Sequence, residues 1–330
     1  MRVTNSMMST SFLRDLGRNQ ENLKTLNNQL TSGKEIRRPS DNPFKVARAM
    51  QLHSDIGVNK QYNENIKDTS NWLETTDVAL EQLNNSFQRI RELMVSSGNA
   101  SYGPDEKRAI KDEINEKTNE ISQILNTSFD GKYLFGGTKV NSKPVNIMQD
   151  PVTSNNLLNL SGRDGEFLRL DSKDIDIQNQ ISMIGTKLKV EITQGVTMDY
   201  SVSATDLLVF KGKKDDINVM DLLSEITNNL DSNDPVKLSR IINENLKAMD
   251  EVMANINKVR AEVGAKMNRM ESAQDQNEEQ NFSIKDILSQ TEDIDFAEKT
   301  MEVAVAQSVY MASLQTSARI LQPSLLDFLK

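Results

Sequence analysis

The chain has 330 residues, a net charge of −9, one histidine, His53, and no cysteine. That composition excludes thiol chemistry and a disulfide framework, leaves too little histidine for a zinc or nucleophile–base site, and opposes general binding to nucleic acid. With aromatic residues at only 5%, large globular cores are disfavoured and long helical packing is expected, in a chain with room for two or three domains.

The head comes first. Leu16, Leu23 and Leu30 recur every seven residues, with Phe12 and Leu26 at companion positions and Ser9 and Asn19 as polar interruptions. The spacing predicts one half of a coiled coil. So few apolar side chains do not offset the entropy of ordering some thirty residues, so the head needs a partner. Gly33 is placed to cap the helix at its C-terminus, Pro39 and Pro43 forbid its continuation, and Asp41 or Asn42 is placed to start the next helix. The basic residues of this hinge, Lys34, Arg37 and Arg38, lack the spacing of a phosphate loop and read as an exposed linker.

A long helix is predicted from about Phe44 to Ser97 on Ile66, Leu73, Leu80, Phe87 and Met94, with Leu83 and Ile90 filling the gaps and Trp72 beside the seam. A break at 101–105 leads into a second helix carrying Ile110, Ile114, Ile121 and Leu125, antiparallel to the first. After Phe129 the period changes to strand and turn chemistry as far as about residue 212. Leu188, Val190 and Ile192, then Val196, Met198, Tyr200 and Val202, predict a hairpin. A three-residue loop, Thr193-Gln194-Gly195, would pair Ile192 with Val196 and Val190 with Met198, with a bulge at Gly195.

Helical period returns at Val219, Leu222, Leu223 and Ile226. From Pro235 a further long helix carries Ile242, Met249, Ile256, Val263 and Met270, with Leu246, Met253 and Met267 on the adjoining row. The polar stretch 272–281 marks where this seam fades. The tail then places Ala297, Ala304, Met311, Ala318 and Leu325 at one heptad position and Leu314, Leu321 and Phe328 at another. Pro323 should end or kink the tail helix near Leu321, leaving an apolar hook at 324–330.

Residues 1–50 hold nine basic and four acidic residues, whereas 271–330 hold four and eleven. Head and tail therefore attract, and the expected fold is mainly α with a β-rich central insertion. It is an elongated chain hairpin of long antiparallel helices whose terminal helices form an N/C coiled coil. The expected divisions are a coiled-coil head and hinge at 1–43, the two halves of a helical body at 44–130 and 216–280, a β-rich centre at 131–215 and a coiled-coil tail at 281–330. The predicted assembly interface is Phe12, Leu16, Leu23, Leu26, Leu30, Ala297, Ala304, Met311, Leu314, Ala318, Leu321, Leu325 and Phe328.

No catalytic constellation is found. His53 has no second histidine or cysteine to join it, paired carboxylates such as Glu278-Glu279 read as solvated helix faces, and Gly136-Gly137 lacks the rest of a phosphate-binding motif. The reading calls for no enzyme activity and no cofactor. No hydrophobic run reaches membrane-spanning length. The opening Met1-Arg2-Val3-Thr4-Asn5-Ser6 lacks the apolar core of a secretory signal, so export would use a route that reads a polar, unfolded terminus.

Several stretches together resemble the flagellin superfamily over nearly the full length. They are Leu30-Thr31-Ser32-Gly33-Lys34-Glu35-Ile36 with Pro39-Ser40-Asp41-Asn42-Pro43, then Ser86-Phe87-Gln88-Arg89-Ile90-Arg91-Glu92-Leu93, then Phe129-Asp130-Gly131-Lys132-Tyr133-Leu134-Phe135-Gly136-Gly137-Thr138, and Arg260-Ala261-Glu262-Val263-Gly264-Ala265-Lys266-Met267-Asn268-Arg269-Met270-Glu271. The opening Met1-Arg2-Val3-Thr4-Asn5-Ser6-Met7-Met8, the phrase Gln61-Tyr62-Asn63-Glu64-Asn65 before Trp72-Leu73, and Ser324-Leu325-Leu326-Asp327-Phe328-Leu329 are similar to its hook–filament junction branch, the third hook-associated protein.

That resemblance implies an extracellular flagellar adaptor. Copies would form a ring between the first hook-associated junction protein and flagellin, after unfolded type III export with a dedicated chaperone on the C-terminal tail. It also implies that Arg89, Leu93 and Glu113 match the surface of flagellins detected by a Toll-like receptor. The alternative within the superfamily is a filament flagellin.

Overall fold

A computed structural model describes residues 5–98, 103–151, 153–213, 215–232 and 234–320. Contacts divide the chain into two units, one of residues 1–60 with 279–330 and one of residues 61–278. The division falls inside the two longest helices.

In the first unit, helix α1 (Asn5–Ser32) packs on helix α9 (Phe296–Ile320). Gly33 closes α1 in the left-handed region, φ 72°, its N–H donating to the Gln29 carbonyl at 2.8 Å, as a glycine cap requires. Asp41 folds the hinge by accepting from the Arg37 and Arg38 amides at 3.2 and 2.8 Å. Those two donors hold its carboxyl below the usual carboxylate range. Asn42 then caps helix α2 (Pro43–Ser97) through the Lys45 amide, 3.1 Å away, with Pro43 as the first helical residue.

The second unit is built on the part of α2 after residue 60, on α3 (Pro104–Leu125), and on the long helix α8 (Leu246–Glu292) as far as residue 278. The seam read from the sequence is its core: Ile66, Leu73, Leu80, Phe87, Met94, Leu83 and Ile90 are buried, as are Ile114, Ile121 and Leu125 on α3 and Met249, Ile256, Val263 and Met270 on α8. Each such side chain stabilises by about 2 kcal/mol. Arg260 forks onto Asp77 at 2.8 and 3.1 Å and reaches Glu81 at 2.8 Å, while Arg91 meets Asp250 at 2.5 Å. These pairs run in opposite chain directions, so α2 and α8 are antiparallel. The second buried row of α8 is Val252 and Val259, with Leu246, Met253 and Met267 only half-buried at its margin.

One predicted core position is corrected. A single π-turn, Ile241–Asn245, joins the short helix α7 (Pro235–Arg240) to α8. Its extra residue rotates everything upstream by about 100°. Ile241 therefore fills the seam at 0% exposure, and Ile242 points out at 39%.

The insertion between α3 and helix α6 (Val219–Asp231) is β-rich. A tight turn at Asp130-Gly131, both at positive φ, joins β1 (Ser128–Phe129) to β2 (Lys132–Tyr133). Strands β3 (Val145–Gln149), β4 (Asn156–Ser161) and β5 (Phe167–Leu168) form an antiparallel sheet in that order. Asn156 anchors it on α3: its amide donates to Asn115 Oδ1 and its side chain to the Asn115 carbonyl, both at 3.1 Å. Helix α4 (Ile175–Gly185) and the one-turn helix α5 (Ala204–Leu208) interrupt what the sequence reads as continuous strand and turn.

The hairpin of β6 (Lys189–Thr193) and β7 (Val196–Asp199) pairs Val190 with Met198 as expected. Its loop, however, is the two residues Gln194-Gly195, with Thr193 paired to Val196, and the register shift lies between Glu191 and Thr193. Bulging at Ile192 lets a short loop coexist with a common inward face; Ile192 and Met198 are both buried. A final hairpin, β8 (Val209–Lys211) with β9 (Asp216–Asn218), leads into α6.

Candidate assembly surface

The head stripe lies where the spacing puts it. Phe12, Leu16, Leu23, Leu26 and Leu30 are half-buried, yet no described residue of α1 is fully buried. The tail differs from its predicted register. The least exposed residues of α9 are Lys299, Glu302, Val303, Ala306, Tyr310, Ser313 and Ser317, all but Glu302 at alternating steps of four and three, and this is the face turned to α1. Ala297, Ala304, Met311, Leu314 and Ala318 lie roughly a third of a turn away and are exposed. Leu321, Leu325 and Phe328, with the predicted kink and hook, lie outside the described residues.

The reason is that α9 is apolar around most of its circumference. Met301, Val305 and Val309 are 65%, 63% and 47% exposed on one flank, and Met311 and Leu314 are 59% and 45% exposed on the other. A helix apolar on all sides belongs in surroundings that cover all sides. Here α1 covers one. An open groove of about 590 Å³ runs between the helices, lined by Leu26, Met301, Val305, Ala306 and Val309 and rimmed by Glu298 and Glu302.

The head–tail pair is closed at its hinge end by residues that the heptad pattern does not single out. Lys34 and Asp293 form an antiparallel β-bridge; the Glu35 amide donates to the Glu292 carbonyl at 2.6 Å and the Ile294 amide to the Gly33 carbonyl at 3.1 Å. The Lys34 ammonium then bonds the Glu292 carboxylate and, at 2.6 Å, Asp293 Oδ1. The hydrogen bonds that Lys34 donates to the two carboxylates, that to Asp293 first, raise the Lys34 pKa, and the same bond lowers that of Asp293. His53 Nε2 lies 3.4 Å from the second Glu292 oxygen. The opposite charge of the two chain ends is the only sequence signal for this latch.

The three residues matched to a receptor surface lie together in the second unit. Arg89 Nε donates to Glu113 Oε1 at 2.7 Å, raising the arginine pKa, and NH1 reaches Glu92 at 3.3 Å. Leu93 is in the core at 5% exposure. In this chain the trio joins α2 to α3. Among the described residues there is no cluster of three or more metal-ligating side chains, and no helix long and apolar enough to cross a membrane.

Comparison with known proteins agrees with this architecture. Solved structures of the same fold include a putative flagellar hook-associated protein from Vibrio parahaemolyticus (TM-score 0.60, 19% identity, 77% of this chain and 100% of that one). They also include FlgL from Xanthomonas campestris (0.54, 15%, 71% and 98%) and flagellar hook-associated protein 3 from Legionella pneumophila (0.54, 13%, 78% and 99%).

Among curated sequences, a flagellin of Clostridium tyrobutyricum is 29% identical over 162 residues, 49% of this chain and 43% of its own length. A Salmonella rubislaw flagellin is 30% identical over 206 residues, 62% and 39%. The matches thus span less than half the length of these relatives. The model of the bacterial flagellin N-terminal helical region matches residues 3–140 and that of the C-terminal helical region residues 246–329. Together these span well over half of the sequence, at the two ends that the fold brings together as α1 and α9: the chain belongs to the bacterial flagellin family, structural proteins of the flagellum.

Proposed function

We propose that this flagellin-family protein is the hook–filament junction adaptor, copies of which form a ring between the first hook-associated junction protein and the flagellin filament. The observation that carries the reading is the tail helix: apolar around most of its circumference, with only one side covered by α1. Neighbouring copies in a ring, with the junction protein below and flagellin above, supply the missing walls. The fold likeness to hook-associated proteins supports the junction position.

Two further elements belong to the same reading. The subunit leaves the cell unfolded by the flagellar type III route, which suits terminal helices that gain stability by mass action only when neighbours surround them. Before export, a chaperone covers the apolar C-terminal tail. The second reading, a filament flagellin, is favoured by the naming of the curated relatives at about 30% identity.

Negative-stain electron microscopy separates the two. Purified protein should stay unpolymerised alone and decorate the ends of hooks or filament seeds. Long filaments grown from this protein alone would establish the flagellin reading instead.

A further inference from the structure

A second concavity, within the unit of residues 61–278, takes no part in head–tail pairing. It holds about 480 Å³ and is lined by Trp72, Phe129, Tyr200, Asp68, Thr69, Asp130 and Lys132. Phe129 and Tyr200 stand almost perpendicular to the Trp72 ring, at 83° and 86°, with ring centres 6.1 and 5.8 Å away. Three rings thus meet at one opening, and two carboxylates stand at its rim. Among the described residues neither Asp68 nor Asp130 has an ion-pair partner, and no cation of this chain stacks on the rings.

Trp72 is costly where it sits. It is 5% exposed, and among the described residues its buried indole Nε1 has no hydrogen-bond acceptor, a desolvation cost that phenylalanine would avoid. What an indole offers over a phenyl ring is the strongest π-face for a cation.

We propose that Trp72, Phe129 and Tyr200, with Asp68 and Asp130, form a binding site for an alkylammonium cation. The rings contact the methyl or methylene groups around the nitrogen and the carboxylates balance its charge. Lys132, at the same rim, opposes the ligand and sets a modest affinity. The cation is either a free quaternary amine or the side chain of a lysine on another protein.

Trp72 is the only tryptophan, so its fluorescence reports directly. Full-length protein is titrated with tetramethylammonium chloride against sodium chloride at equal ionic strength, and with 3,3-dimethylbutanol as the uncharged analogue. Saturable change in the millimolar range with tetramethylammonium alone is expected.

Because Asp68, Asp130 and Lys132 are exposed, their variants keep the fold. Asp68→Asn with Asp130→Asn should weaken binding about tenfold, and Lys132→Ala should tighten it about threefold, as expected for charges beside a cation–π site. Choline and Nα-acetyl-lysine amide, titrated in the same way, distinguish a free amine from a side chain. An equal response to the uncharged analogue, no response to tetramethylammonium, or weaker binding in Lys132→Ala would overturn the proposal.

Discussion

Met311→Glu separates the folding of the subunit from its assembly. Met311 is 59% exposed on α9, away from α1. In the free chain its replacement removes little packing, and Met and Glu have similar helix propensities, so stability should change by less than about 0.5 kcal/mol. If a neighbour covers this face, burying the exposed part of the methionine contributes about 1–2 kcal/mol. An unpaired carboxylate in the same place costs roughly 2 kcal/mol more.

The variant should therefore lose about 3–4 kcal/mol of association energy, two to three orders of magnitude in the concentration needed to bind a hook or filament end. Thermal melting followed by circular dichroism gives the first quantity; sedimentation with seeds gives the second. Met311→Leu should behave as wild type in both. Unchanged seed binding by Met311→Glu would refute the argument that this face is an interface.

Lys34→Met should open the hinge latch at neutral pH and raise hydrogen exchange at the Glu35 and Ile294 amides. The lowered Asp293 pKa makes its contribution full above the ordinary aspartate range and lost as pH falls through the depressed value. The raised Lys34 pKa keeps that contribution until pH climbs past the ordinary lysine range. The difference between wild type and variant should thus be largest between those limits and vanish in strong acid; persistence there would contradict the ion pairing. Gly137→Ala should cost more than 2 kcal/mol in urea unfolding, since φ is 58° and a Cβ would stand 2.1 Å from the Ile184 carbonyl oxygen. Deleting Ile242 should turn the π-turn into ordinary helix and leave Ile241 in the seam, so the melting temperature should hold, whereas deleting Met253 should lower it sharply.

The parts legible in the sequence are those where one face of a helix is apolar and the others are not. Ile66 to Met94 and Met249 to Met270 stand out against polar neighbours, so their burial follows from spacing, and Pro43 and Gly98 mark the ends of α2, whereas α8 runs on through the polar stretch 272–281 to Glu292 with no glycine or proline at its end. The tail offers no such contrast. With Val303 and Ala306 on one side, Met301 and Val305 on another and Ala304 and Met311 on a third, several heptad registers fit equally well, and the one chosen proved to be the outward face. The π-turn is invisible because a one-residue phase shift leaves Ile241 and Ile242 equally apolar in the sequence. Helix α4 escapes because its eleven residues lie among turn-forming Ser, Asp and Asn. The latch was half visible: opposite charge predicted attraction between the ends, but not Lys34 as the residue that makes it.

The central claim is that head and tail helices form an assembly surface that neighbours complete. Hydrogen–deuterium exchange tests it most directly, comparing free chain with chain bound to filament or hook ends. The account predicts that amides of α1 and α9 exchange much faster than those of the α2 and α8 seam in the free chain, and become strongly protected on binding. Protection of α1 and α9 in the free chain equal to that of the seam, or no gain on binding, would contradict it.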